Sequence, residues 1–265
     1  MSTSIRLAIT GAAGRMGRRL IALASESPDL KVVAAIERAD HPQLSRDAGE
    51  LAGVGKLGVP LSDDLLAAPD VLIDFSAPAA FRHWLKTCRD RKIAMLIGTT
   101  GLSDADLAAI DSAAADIPIL HATNMSLGVA VLTKIAAEMT RLLGSEYDIE
   151  LVEAHHRFKK DAPSGTALSI LDAILESSGK TRDALVFGRE GAEVTRRPGT
   201  IGVHALRMGD EVGRHTVYFG GLGERLELTH RATNRDVFVH GALRAARWLV
   251  GRKPGRYRIA DVLGV

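Results

Sequence analysis

The chain has one cysteine in 265 residues, so no internal disulfide can form and a reducing compartment is expected. Cys88 stands in a helix-like stretch, "FRHWLKTCRDRK", with no neighbouring Cys or His pattern, and reads as a packed side chain. Aromatic residues are scarce, at 4%. Nucleic-acid grooves combine a clustered basic face with rings that stack on bases, and neither is evident. Charge of one sign is missing as well: 34 Lys and Arg oppose 32 Asp and Glu, a net of +2. No apolar run approaches the ~20 residues that span a bilayer. "MSTSIRLAIT" holds only a short apolar run before a glycine, not a signal peptide, so a cytoplasmic location is expected. What remains, 46% hydrophobic and 25% charged residues, is globular composition, long enough for one large domain or two modest ones.

What the chain does have is a rhythm. Short apolar runs at 5–10, 31–37, 70–76, 93–101 and 117–124 read as buried strands, and helical patterns lie between most of them. Ser103 stands as an N-cap before one of those helices. Such alternation predicts an α/β fold with a doubly wound parallel sheet. After Asn124 the rhythm changes to a long helix at 126–144, a strand at 147–156 and a helix closed by Gly179. Three strand-like stretches and a last helix follow, which predicts a second, α+β domain with an open mixed sheet.

"TGAAGRMG" sets Gly11, Gly14 and Gly17 between the first strand and its helix. Missing side chains let backbone approach a pyrophosphate, and the helix N-terminus favours its charge. Glu37 ends the second strand, 20 residues after Gly17, where a carboxylate can accept from a ribose 2′-hydroxyl. Arg38 follows and can pair with a 2′-phosphate instead. Both together predict a Rossmann-type site that tolerates NADH and NADPH; without a ligand the same residues make only a tight turn beside a surface ion pair. "GTTG" (98–101) and "ATNM" (122–125) close later strands, where ligands of open α/β sheets sit.

"EAHHRFKKDAPSGTA" (153–167) gathers two histidines, an arginine and two lysines before a helix whose N-cap candidate is Ser164. Uncapped N–H groups and Arg157, Lys159 and Lys160 together suit a carboxylate, and His155 is placed to handle a proton. On an extended strand His155 and His156 diverge, and Arg157 and Lys159 share the side of His155 as long as the extension persists. A metal reading fails on that divergence and on the lack of a third ligand. The same basic run is also compatible with a solvated loop or with a nucleic-acid contact, though no aromatic platform accompanies it.

This motif resembles the signature of the 4-hydroxy-tetrahydrodipicolinate (dihydrodipicolinate) reductases. The likeness extends along the chain through "GAAGRMGRRL", "DAGELAG", "VLIDFS", "IGTTG", "ATNMSLGV", "PGTIG", "GDEVGRHTVYF" and "GERLELTH". It implies reduction of a cyclic imine dicarboxylate by NADH or NADPH with loss of water, in lysine and diaminopimelate biosynthesis. His155 and Lys159 would be catalytic, and His156, Gly165 and Thr166 would hold substrate carboxylate. Gly11, Ala12, Ala13, Gly14, Arg15, Met16, Glu37, Arg38, Gly98, Thr99, Thr100, Ala122, Thr123, Asn124 and Met125 would contact the cofactor. The resemblance also implies a homotetramer built through the second domain and a tail that returns to the first. The dinucleotide domain is therefore placed at 1–126 and 236–265, the substrate domain at 127–235. Phe158, Lys160 and His240 depart from the familiar pattern. A related amino-acid dehydrogenase would not need the His-His-x-x-Lys…Ser-Gly-Thr constellation. A non-catalytic NAD(P) sensor would leave His155 and Lys159 without a task.

Overall fold

The computed structural model describes residues 4–264. In chain order the first elements are β1 (Ile5–Thr10), α1 (Arg15–Ser25), β2 (Leu30–Ile36), α2 (Ala48–Ala52), β3 (Leu61–Ser62) and β4 (Val71–Asp74). Then come α3 (Pro78–Arg91), β5 (Ala94–Ile97), α4 (Asp104–Ala114) and β6 (Pro118–His121). The middle of the chain holds α5 (Leu127–Leu143), β7 (Asp148–His155), α6 (Gly165–Ser178), β8 (Leu185–Phe187), β9 (Ile201–Arg207), β10 (Gly213–Gly221) and β11 (Glu224–Ala232). The end supplies α7 (Asp236–Leu249) and β12 (Gly255–Tyr257). Two compact units result, one ending at Ser126 and resuming at Asp236, the other spanning Leu127–Arg235. No helix among the described residues is long and apolar enough to cross a membrane.

The first unit is built on a seven-stranded sheet in the order β12-β6-β5-β4-β1-β2-β3, every pairing parallel. Its central strands are apolar on both faces, as a sheet covered by helices on two sides requires. Phe81, Trp84, Leu85 and Cys88 of α3 and Ile110 and Ala113 of α4 pack against Leu72, Met95, Ile97 and Ile119. Cys88 is part of this core, and burial pushes its thiol far up from its ordinary pKa. The Gly-, Asp- and Pro-containing segment between β2 and β4 contains α2 and β3. One side chain organises it: the Asp47 carboxylate accepts from the backbone N–H groups of Gly49, Glu50, Leu57, Gly58 and Val59 at 2.7–3.2 Å. The C-terminal helix α7 is anchored by bidentate pairs, Arg19 to Asp236 at 2.7 and 2.9 Å and Arg247 to Asp29 at 2.6 and 2.9 Å.

The second unit carries a five-stranded mixed sheet, β11-β10-β7-β9-β8, in which β7 pairs parallel with β9 and antiparallel with β10. Alternation along β7 turns Ile149 and Leu151 to one face. There they meet Leu132 and Ala136 of α5 and Ile170, Leu171, Ile174 and Leu175 of α6. Glu153 and His155 continue that same alternating row towards the end of the strand, so the core stripe runs directly into titratable side chains.

Candidate active site

In the first unit, β1 delivers the chain to Gly11 at φ +68°, a left-handed conformation that side chains rarely adopt. A Cβ there would lie 2.4 Å from the Phe75 carbonyl oxygen, and a Cβ on Gly17 would lie 2.2 Å from the Gly11 carbonyl oxygen. Only hydrogen atoms fit at these two places, so strand, turn and helix close up tightly. α1 then starts at N-cap Gly14 with no side-chain cap and no acidic residue in its first turn. Its N-terminal N–H groups are therefore left to an anion. Gly11, Ala13, Gly14, Glu37 and Arg38 line one cleft of ≈ 620 Å³, together with His41, Asp63, Phe75 and Trp84. Glu37 is half-buried, whereas Arg38 is exposed and held 3.0 Å from Asp40. These features fit a dinucleotide: a bare helix end for the pyrophosphate and an acid–base pair at the end of β2.

Beneath the cleft lies Asp74, fully buried at the end of β4. Its carboxylate accepts from the hydroxyls of Thr10 (2.5 Å), Ser76 (2.6 Å) and Thr99 (2.8 Å). One carboxylate thus ties together the carboxyl ends of β1, β4 and β5. Of the residues expected at the cofactor, Thr99 is buried in this network and Thr100 is exposed. Gly98 faces the Phe75 ring, where its Cβ would come within 2.4 Å. Ala12 is buried; Arg15 is exposed, and Met16 half-buried. After β6, Ala122 and Asn124 are half-buried and Thr123 exposed, while Met125 is buried with its carbonyl oxygen pressed against Gly241.

The second unit centres on Glu153, fully buried on the middle strand. Oε2 receives His155 Nδ1 at 2.6 Å and Arg207 Nη1 at 2.8 Å. Oε1 receives Arg207 Nη2 at 2.7 Å and the Ser164 backbone N–H at 3.0 Å. Burial pushes this carboxyl up, but the bonds from His155 and Arg207 outweigh it and hold the pKa at about 2. Ser164 caps α6, its Oγ accepting from Ala167 N–H at 3.1 Å and lying 3.0 Å from His215 Nε2. His215 Nδ1 is buried with no hydrogen-bond partner among the described residues. An unmet lone pair is tolerated better than an unmet N–H. The neutral His215 ring therefore carries its proton on Nε2 and donates it to Ser164. With two bonds already accepted, the Ser164 hydroxyl has its own proton to donate. Burial, then the neighbouring His155, pushes the His215 pKa down to about 4, which keeps the ring neutral at physiological pH.

The strand does not stay extended past His155. Met208 N–H donates to the His155 carbonyl at 3.0 Å, and Lys159 N–H closes a turn onto the His156 carbonyl at 3.1 Å. The condition for Arg157 and Lys159 to share the side of His155, a strand that stays extended, is therefore not met: β7 ends at His155 and a turn follows. Lys159 instead pairs with Asp161 at 2.9 Å and is largely shielded, while Arg157, Phe158 and Lys160 are exposed. His156 is half-buried beside the Phe158 ring, with centroids 6.3 Å apart. Gly165 and Thr166 open α6, whose first turn contains no acidic side chain. His155, Lys159, Ser164, Gly165 and Thr166 thus belong to one strand–turn–helix corner. Sequence reading missed Glu153, Arg207 and His215 as parts of it; the pairing of β7 with β9 and β10 is what brings them in.

Models of the dihydrodipicolinate reductase N-terminus and C-terminus match residues 5–125 and 128–263. The 4-hydroxy-tetrahydrodipicolinate reductase of Alkalilimnicola ehrlichii is 51% identical over 264 residues, covering 98% of this chain and 99% of its own. The protein of that name from Geotalea uraniireducens is 46% identical over 265 residues, with coverage of 98% and 99%. Among solved structures, the dipicolinate-bound dihydrodipicolinate reductase from Paenisporosarcina sp. TG-14 aligns with a TM-score of 0.75 at 24% identity, covering 97% of this chain and 98% of its own. That likeness is one of fold.

Proposed function

The chain belongs to the dihydrodipicolinate reductase family, and we propose on that premise that it reduces 4-hydroxy-tetrahydrodipicolinate to tetrahydrodipicolinate with loss of water. It is an NAD(P)H-dependent oxidoreductase of lysine and diaminopimelate biosynthesis. The observation that carries the reading is the corner formed by His155, Lys159 and the capped start of α6, lying at the end of a buried carboxylate–imidazole row. The balanced reaction takes one substrate, one NAD(P)H and one proton, and gives product, NAD(P)⁺ and water. Bound dinucleotide supplies the hydride.

The residues of the chain supply the rest. Gly11, Ala13, Gly14 and the start of α1 hold the pyrophosphate, and Glu37 takes the ribose hydroxyl of NADH. Arg38, exposed and paired with Asp40, turns to the 2′-phosphate of NADPH. The Gly165–Thr166 turn at the start of α6 holds a substrate carboxylate, the Ser164 hydroxyl adds a donor, and His156 lies alongside. Lys159 delivers a proton to the carbon skeleton beside the hydride-accepting atom, and His155 exchanges a proton through Nε2. A positioned acid of this kind contributes ~10²–10⁴-fold. Pairing with Asp161 orients the Lys159 ammonium between turnovers. As the resemblance implies, the active form is a homotetramer, which sedimentation at several concentrations would register at four times the chain mass.

The direct test couples the chain to the condensation of pyruvate with aspartate semialdehyde by the preceding synthase. NADH and NADPH are supplied in parallel. Nicotinamide oxidation that requires the synthase is the expected result. A folded chain that binds NADH but stays silent would move the related amino-acid dehydrogenases to the front.

A further inference from the structure

We propose that Glu153 and Arg207 form a positioning pair that fixes the tautomer and direction of His155 and tethers the turn bearing Lys159. The inference rests on the proposed catalytic roles of His155 and Lys159. Both oxygens of Glu153 are saturated, with two donors each: His155 and Arg207 on one, Arg207 and the Ser164 N–H on the other. A carboxylate has about four lone-pair directions, and here every one faces a donor. A proton on Glu153 would displace one of these bonds, so the group stays an anion and accepts only.

The consequence for His155 is specific. Facing an acceptor at 2.6 Å, Nδ1 must carry hydrogen, and Nε2 is left as the nitrogen that takes or gives a proton. Space is kept around that atom by Gly213, whose Cβ, were there one, would lie 3.1 Å from Nε2. The other charged or titratable groups packed against His155 are Arg207 from β9 and His215 from β10, with ring centroids 5.2 Å apart, while Lys159 of the following turn acts on His215 through its charge. None of these is an acceptor strong enough to invert the tautomer while Glu153 is present.

Arg207 reaches further. Besides its fork on Glu153, Nη2 donates to the Asp161 carbonyl at 2.6 Å, and the Asp161 carboxylate holds Lys159. A single ion pair on neighbouring strands therefore orients His155 directly and Lys159 through Asp161. A purely structural ion pair would fill the strand end without dictating which nitrogen of His155 bears hydrogen.

Glu153→Gln separates these roles. The amide keeps the shape but has a single acceptor oxygen, so either Arg207 or His155 loses its partner, and an NH₂ facing Nδ1 selects the wrong tautomer. The measurements are ¹⁵N spectra of histidine-labelled protein, kcat and KM in the coupled assay, and NADH affinity. Expected are Nδ1–H at His155 in the unsubstituted chain, loss of that pure form in Glu153→Gln, and a fall in kcat of at least about 10-fold, up to the ~10⁴-fold that an amide causes behind a triad histidine. NADH affinity should not move. An Nε2–H form in the unsubstituted chain, or full kcat in Glu153→Gln, would overturn the proposal. If Glu153→Gln does not fold, Arg207→Lys carries the test. It leaves the carboxylate and the Nδ1–H form in place but loses the bond to the Asp161 carbonyl, so kcat falls while the spectrum holds. Full kcat there removes Arg207 from the pair. Should the unsubstituted chain show no reductase activity, the functional reading fails, and the nitrogen spectra alone still decide the positioning claim.

Discussion

At the residue scale, the side chains proposed for proton handling and for dinucleotide binding are different, and substitution should separate them. Lys159→Ala and His155→Ala are expected to lower kcat by about 10²–10⁴-fold, the worth of a positioned acid. NADH affinity, measured by fluorescence titration, should stay within twofold, because the glycine turn and Glu37 belong to the other unit. Loss of NADH binding in both variants, with the fold intact, would contradict this division. Arg38 offers a second separation. Its guanidinium is exposed and held by an exposed Asp40, a surface pair worth little. It is free to exchange that partner for a phosphate. Arg38→Ala should therefore raise KM for NADPH by about tenfold or more and leave KM for NADH nearly unchanged. Equal losses would show that another group meets the 2′-phosphate.

Strands and helices bring together what the sequence scatters, and they show why one half of the site is legible in the sequence and the other is not. The glycine turn, Glu37, Arg38 and the His155–Thr166 motif are local: each lies within one strand–turn–helix unit, where spacing alone carries the geometry. Glu153, Arg207 and His215 are brought together by register, with His155 opposite Arg207 on β9 and Glu153 opposite His215 on β10. Strand pairing over 50 residues or more leaves no local mark, and a lone Glu in "ELVEAHH" reads as part of an alternating strand. Asp74 is hidden for the same reason, its partners Thr10 and Thr99 coming from β1 and the end of β5. The short α2, β3 and β12 escape too, since two to five residues cannot show a period. Packing between elements predicts that Gly17→Ala is costly. With its Cβ placed 2.2 Å from the Gly11 carbonyl, α1 must move off the turn, at about 1–3 kcal/mol. A thermal melt should register that loss together with weaker NADH binding; an unchanged melting temperature would mean that the turn and helix can separate freely.

Strand register also gives the fold a pH dependence. His215 has a folded pKa of about 4, below its ordinary 6.5, because burial resists its charge. The unfolded chain takes up that proton first, so the fold has full stability above pH 6.5 and loses it as the pH falls towards 4. The contribution is on the order of 3 kcal/mol. His121 and His230, also pushed down by burial, act in the same direction. Glu153 comes into play lower still: its stabilisation is full above the ordinary glutamate value and disappears between about pH 4.5 and 2. Between pH 7.5 and 5 the melting temperature should therefore fall, and His215→Gln, which can still donate to Ser164 and cannot charge, should flatten that fall. An equally steep slope in the variant would place the acid sensitivity elsewhere.

For the whole molecule, the proposed function assigns dinucleotide and dicarboxylate to different units, and the near-balanced charge would make their capture local. A net charge of +2 spread over 265 residues gives little long-range field to draw in a dianion. On the proposed reading, capture of a dicarboxylate would depend on Arg157, Lys159, Lys160 and the start of α6, and capture of a dinucleotide on the start of α1. Dipicolinate, a flat dicarboxylate, is a suitable probe of the second unit, and NADH of the first. A ligand that binds only the folded state at 100 times its dissociation constant stabilises it by about 2.7 kcal/mol, a rise of a few degrees in a domain of this size. Both probes should raise the melting temperature of the unsubstituted chain. Lys159→Ala should lose most of the dipicolinate shift and keep the NADH shift, and Gly17→Ala should do the reverse. Each substitution lies in one unit, so an intact cross-response is the signature of separate sites. If either variant loses both shifts, the two ligands share one site or one unit's order depends on the other. Assignment of proton chemistry to β7 and α6, and of the dinucleotide to β1 and α1, would then have to be abandoned.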